Sequence, residues 1–218
     1  MRNVDEVAVA ELAQHARMRS FAQGERIFMA GEPAANFTFI RRGLVQIVRT
    51  MAGGTEATLG LFGPRESVGD TAALGREAYP GSAIAASAAV EVALVPEERM
   101  REVMGRVPSL ASAMNGALLE HTRVLRTKID ILSAGSIPAR LATLLLHLAE
   151  RFGDETENGE LWVPVALSRS DLAIVVSART ETVIRVMSRW QKLGWVRTDA
   201  DGFALVTPGL LESTASGL

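Results

Sequence analysis

Residues 167–196 read LSRSDLAIVVSARTETVIRVMSRWQKLGWV. They hold two amphipathic patterns separated by a few residues. Ser168 has an acid, Asp171, three positions on. At that spacing a capping hydroxyl and a first-turn carboxylate satisfy each other's backbone donors. This predicts a first helix running to Val176, and Ser177 and Ala178 leave room only for a tight connection. In the second pattern Val183, Val186, Met187 and Trp190 fall at i, i+3, i+4 and i+7, which makes one apolar stripe. The other face presents Thr180, Glu181, Ile184, Arg185, Ser188 and Arg189. Downstream, WVRTDADGFALVTP reads as a hairpin turning at Asp199–Gly202. Two short helices joined by a tight turn and followed by a hairpin make a winged helix-turn-helix.

The charge supports a nucleic-acid role for this segment. Between residues 166 and 200 stand Arg169, Arg179, Arg185, Arg189, Lys192 and Arg197, against Asp171, Glu181 and Asp199. The segment is therefore basic in a chain whose net charge is −2, so attraction to DNA must be local. An arginine can bind guanine N7 and O6 together, and a carboxylate can accept from cytosine N4. Glu181 and Arg185, four residues apart, share a helix face and can reach neighbouring base pairs. A solvated ion pair is the competing reading of that spacing.

Outward from this segment, the chain has 218 residues, 48% of them hydrophobic, and no cysteine. It can bury a sizeable core as one large domain or two modest ones. Disulfides, thiolate zinc sites and Cys-ligated iron–sulfur clusters are excluded. No uninterrupted apolar run reaches spanning length, and the acidic N-terminus does not read as a signal peptide. A cytoplasmic location without membrane contact is expected.

The first twenty residues suggest a helix, with Val4, Val7, Ala8, Leu12 and Ala16 on one face and Glu11 as a polar exception. From Phe21 to about Val95, short apolar runs alternate with Gly, Pro and Asn. FTFIRRG and LVQIV alternate with period two, and MAGGTE is a hairpin signal between strands. This predicts an antiparallel barrel or roll. From Ser109 to Leu132, Leu118, Leu125 and Leu132 recur at seven-residue spacing, with Asn115, Thr122 and Ile129 between them. Such a seam predicts a long helix pairing in parallel with a second copy through Leu118, Thr122, Leu125, Ile129 and Leu132, the competing reading being a helix packed on its own barrel. SAGSIP, residues 133–138, breaks the pattern at Gly135 and restarts it at Pro138. The expected fold is α+β. Residues 1–108 form a β-roll sensor, 109–136 the dimerisation helix and hinge, and 137–218 the winged helix-turn-helix.

The same residues carry a family resemblance. Leu167, Ser168, Arg169, Asp171, Leu172 and Ala173, then Glu181, Thr182, Val183, Arg185, Met187 and Gly194, resemble the DNA-binding signature of the catabolite-activator/FNR (CRP/FNR) family of bacterial regulators. Phe21, Gly24, Glu25, Ile27, Phe28, Gly31, Glu32, Pro33 and Ala34 resemble the opening of its β-roll, and the likeness runs the length of the chain. It implies that Glu181 and Arg185 read bases while Ser168, Arg169, Arg179 and Thr182 contact phosphates, with Thr180 and Arg189 on the same DNA-facing surface. It also implies a pseudo-palindromic duplex as target, a homodimer, and RNA polymerase as a candidate contact. Thr180 and Ile184 depart from the family pattern, which more often has Arg or Ser and a small residue there, so the half-site is not carried over.

In the roll, the family's cyclic-nucleotide pocket uses a Gly-Glu pair and, about ten residues on, an Arg-Ser pair. Here Gly69-Asp70 stands for the first, and Pro80-Gly81-Ser82 stands where Arg should precede Ser. Losing a buried phosphate contact costs about 2–5 kcal/mol, so cyclic AMP is disfavoured as effector. The expected pocket comprises Gly69, Asp70, Thr71, Ala72, Ser82, Ala83, Leu118 and Thr122. Haem stays open as an alternative, with His15 and His121 as ligand candidates and nitric oxide or carbon monoxide sensing as the function. A regulatory module without DNA binding would predict an unexceptional C-terminal helix pair. An enzyme is not expected, since no Gly-rich phosphate loop, nucleophile elbow or His–acid metal spacing is found.

Overall fold

The computed structural model describes residues 5–51, 56–165 and 167–217. Val4, residues 52–55 of the MAGGTE signal and Ala166 lie outside that range. The chain divides into two compact units, Met1–Gly54 with Gly60–Val124, and Thr55–Leu59 with Leu125–Leu218.

In chain order the first elements are α1 (Glu6–His15), β1 (Arg17–Ala22), β2 (Arg26–Phe28), β3 (Asn36–Arg42), β4 (Val45–Thr50), β5 (Glu56–Phe62), β6 (Ser67–Val68), α2 (Asp70–Gly75), β7 (Ser82–Ala85), β8 (Ala89–Pro96), α3 (Glu97–Arg106) and α4 (Pro108–Ser133). Two four-stranded sheets, ordered β1-β8-β3-β6 and β2-β7-β4-β5, form the roll. The period-two runs are where they were expected: FTFIRRG falls in β3 and LVQIV in β4. Phe37, Ile40, Val45, Val68, Val90 and Val92 fill the core, together with Met100 of α3 and Leu110 and Met114 of α4.

The N-terminal helix is shorter than the sequence suggests. Asp5 caps it by accepting from the Val7 amide at 2.8 Å, and Ala8 and Leu12 alone form its buried seam. Val7 points to solvent at 76% exposure, which corrects its place on the apolar face. Residues 17–22 continue as strand rather than helix, because six consecutive residues of β1 pair antiparallel with β8, from Arg17 opposite Leu94 to Ala22 opposite Ala89. That long-range pairing outweighs the local helical periodicity.

α4 occupies 108–133, one residue beyond the expected helix at each end. Leu110, Met114, Val124 and Ile131 are buried, whereas Leu119, Leu125 and Ile129 are exposed at 66%, 52% and 62%. After Gly135, with φ +74°, Ser136 accepts from the Ala139 amide at 3.3 Å and starts α5 (Ile137–Phe152). There follow β9 (Asp154–Glu155), β10 (Leu161–Val163), α6 (Arg169–Val176), α7 (Thr180–Lys192), β11 (Val196–Thr198), β12 (Phe203–Leu205) and α8 (Pro208–Ala215). The wing is a four-stranded sheet, β11-β12-β10-β9. The polar turn DETENGE adds a strand that composition alone hides, since β9 is held only by backbone pairing to β10. α8 begins at Pro208 and buries Leu211, packing on α5.

Candidate nucleic-acid interface and effector region

The two helices of residues 167–196 form as the capping signals require. The Ser168 hydroxyl accepts from the Asp171 amide at 3.1 Å, and Asp171 accepts from the Ser168 amide at 2.9 Å, a complete capping box. The other end of α6 is closed by cations from distant segments. The Lys128 ammonium donates to the Val175 carbonyl, and Arg140 Nη1 donates to the Val176 carbonyl at 3.4 Å. Positive charge at a helix C-terminus complements the aligned carbonyl dipoles. Burial pulls the Lys128 pKa below the ordinary lysine range. Neither residue carries a sequence signal for this role, because the partners lie 47 and 36 positions away.

α7 turns Val183, Met187 and Trp190 into the core, with Val186 half-buried. Arg179, Glu181, Ile184, Arg185, Ser188 and Arg189 are exposed, and Thr180 and Thr182 are half-exposed. The predicted base-reading pair, Glu181 and Arg185, therefore shares an outward face. Arg169 sits differently from a free phosphate contact. Its guanidinium is half-buried, donating from Nη2 to Thr198 Oγ1 at 3.0 Å and to Gln191 Oε1 at 3.3 Å. Burial lowers its pKa. It thereby ties the start of α6 to the end of α7 and to the first wing strand. In the wing, Arg197 is held by Glu160 at 2.9 Å, which raises its pKa further.

In the roll, Gly69 adopts φ +77° and starts α2. A Cβ there would meet Tyr79 Cε1 at 2.6 Å and Phe28 Cζ at 3.2 Å. The two rings stack with centroids 3.8 Å apart, so the chain's own aromatics cover this glycine. The Tyr79 hydroxyl donates to the Asn36 carbonyl at 3.2 Å, and burial raises its pKa. Asp70 is 0% exposed. One of its oxygens accepts from Ser67 Oγ at 2.8 Å, and the other accepts from the Thr71 amide at 3.2 Å.

His121 of α4 closes this cluster. Its Nε2 lies 2.9 Å from the Ser67 carbonyl and 3.4 Å from Asp70 Oδ1. A carbonyl only accepts, so Nε2 carries the proton. Phe62 meets the ring edge-on at 5.1 Å. His15, the other haem-ligand candidate, is exposed at the end of α1. Among the described residues no group of three or more His, Asp or Glu could hold a metal ion.

The other predicted pocket residues are scattered in environment. Ser82 Oγ accepts from the Ala30 amide at 3.0 Å. Ala72 and Ala83 are core, Thr71 and Thr122 are exposed, and Leu118 is half-buried. The far end of α2 is fastened by Arg101, whose Nη2 donates to the Ala73 and Leu74 carbonyls at 3.2 and 3.0 Å. Arg101 also pairs with Glu97. Burial opposes ionisation of Glu97, but hydrogen bonds from Arg101 and Arg76 outweigh it and hold the carboxyl below its usual range.

A roll followed by a long helix and a winged helix-turn-helix defines a class of DNA-binding regulators. The chain matches the cyclic nucleotide-binding domain over residues 18–106 and the Crp-like helix-turn-helix domain over residues 139–213. It belongs to the CRP/FNR family of DNA-binding transcription regulators. It is 28% identical over 201 residues to the CRP-like cAMP-activated global transcriptional regulator of Mycobacterium tuberculosis, covering 91% of this chain and 88% of that protein. It is 29% identical over 200 residues to the cyclic AMP receptor protein of Thermus thermophilus, covering 92% and 88%. A solved CRP-family transcriptional regulator, also from Thermus thermophilus, superposes with a TM-score of 0.71 at 26% identity, over 90% of this chain and 96% of that one. Among the described residues no helix is long and apolar enough to cross a membrane.

The connection between α6 and α7 stores backbone strain at Ser177, which is exposed and has φ +54°. Ser177→Gly is expected to stabilise the C-terminal unit by about 0.5–1 kcal/mol, because glycine adopts this conformation without a Cβ clash. Urea unfolding followed by tryptophan fluorescence measures it. An unchanged or lowered midpoint would show that the turn is not strained.

Proposed function

We propose that this regulator acts as a homodimer that reads a pseudo-palindromic duplex with α7 as recognition helix, under control of an effector other than cyclic AMP. The carrying observation is the outward face of α7. Glu181 and Arg185 stand exposed on a helix that buries Val183, Met187 and Trp190 on its opposite side and whose partner helix is fixed at both ends. Half-sites about one helical turn apart suit a two-fold dimer. Contact with RNA polymerase belongs to the same reading, as does a cytoplasmic, non-enzymatic role.

The exposed apolar stripe of α4 supports the dimer. Leu125 and Ile129 face solvent beside half-buried Leu118 and Leu132, on the seven-residue spacing that suits a second copy of the same helix. Thr122, also exposed, sits in the seam and would set register. The roll supports an unusual effector. The position that carries a phosphate-binding arginine in cyclic-nucleotide pockets holds none. Asp70 is committed to Ser67, Thr71 and His121, and Tyr79 lies over Gly69. A ligand entering here would have to displace the aromatic pair or the Asp70 cluster, and His121 would pass that displacement to α4.

Three outcomes are expected. On sites selected from random duplex DNA, Arg185→Ala loses about 1–3 kcal/mol and relaxes preference at one base pair, whereas Arg169→Ala weakens all sequences alike; a uniform loss for Arg185→Ala would remove its base-reading role. Sedimentation of Leu125→Glu/Ile129→Glu gives a monomer where the parent chain gives a dimer; an unchanged mass would put the interface elsewhere. Calorimetric titration with cyclic AMP shows no heat of binding at micromolar concentrations, and a saturable isotherm would overturn the effector assignment.

A further inference from the structure

One side chain on the outward face of α7 is unlike its neighbours. Ile184 is 46% exposed. It lies one turn from Thr180 and Glu181 on one side and from Ser188 on the other, next to Arg185, so it occupies the middle of that face. The core does not require it, because Val183, Met187 and Trp190 fill the buried stripe without it. Helix propensity does not favour it either, since a β-branched residue is a weaker helix former than the polar residues suited to a surface. What isoleucine brings is a methyl-rich side chain held in nearly one χ1 rotamer. That rigid apolar tip gains when another apolar group covers it. In the major groove the apolar group on a base edge is the C5 methyl of thymine. The exposed arginines around it, Arg179, Arg185 and Arg189, favour a nucleic acid over an apolar protein surface as the covering partner.

We propose that Ile184 is a specificity-determining residue that selects thymine, through its C5 methyl, at one base pair of each half-site beside those met by Glu181 and Arg185. The proposal rests on α7 being the recognition helix. Thr180, one turn earlier, offers a second methyl on the same line.

The test uses the full chain and duplexes selected by it from random sequence. Each thymine of the selected half-site is replaced in turn by deoxyuridine, which removes only the methyl group. One position per half-site is expected to weaken binding by about three- to fourfold, and replacement in both half-sites by about tenfold or more. Ile184→Ala, at an exposed position and with an unchanged thermal transition, binds the thymine and deoxyuridine duplexes equally. The inference is overturned if the parent chain is indifferent to the methyl at every thymine, or if Ile184→Ala keeps the full methyl dependence. If selection enriches a half-site and the methyl has no effect, only the role of Ile184 falls. If no sequence is enriched at all, the reading of α7 as a recognition helix falls with it.

Discussion

The C-terminal half of this molecule depends on closing both ends of one eight-residue helix. α6 is too short to be stable from its own hydrogen bonds, and each terminus leaves backbone groups without intrahelical partners. Ser168 and Asp171 satisfy the first turn locally. The last turn takes Lys128 from α4 and Arg140 from α5. Because α6 and α7 are joined through only Ser177, Ala178 and Arg179, the orientation of α7 follows from that of α6. Arg169 then ties the start of α6 to Gln191 and Thr198. The exposed face of α7 is thus presented by a frame of charged groups that lie away from it.

A similar economy governs the roll. α2 has only six residues, yet it is fastened at its start by the Asp70 carboxylate and at its end by Arg101. Asp70 itself is fully inside. A buried carboxylate is tolerable only when donors surround it; Ser67 and Thr71 supply them, and His121 Nε2 lies 3.4 Å away. The polar groups at the start of α2 thus serve internal contacts, including one with His121 of α4.

The sequence made some features legible and hid others for physical reasons. The capping box, the buried stripe of α7 and the helix break at Gly135 depend on neighbours within a few positions, and they stand where the pattern places them. The end of α1 escapes a local reading because the pairing of β1 with β8 spans about seventy positions and overrides local periodicity. β9 consists of two acidic residues that have no strand propensity and exist only as a partner to β10. Lys128, Arg140 and Arg101 bond distant carbonyls, and carbonyls leave no mark in a sequence. Of the site, the exposed residues of α7 could be read from periodicity. The half-burial of Arg169 could not, because it depends on where the wing returns.

The placement of the aromatic residues gives the molecule separate optical labels. Its three tryptophans, Trp162, Trp190 and Trp195, all lie in the C-terminal unit, and its single tyrosine, Tyr79, lies in the roll. Trp190 and Trp195 stack at 6.2 Å with their rings 24° apart, close enough for their near-ultraviolet transitions to couple. Emission excited at the red edge of the spectrum therefore reports the C-terminal unit alone. The phenol band of Tyr79, stacked on Phe28, reports the region around Gly69. Events in the C-terminal unit can therefore be followed in an unlabelled sample without interference from the roll.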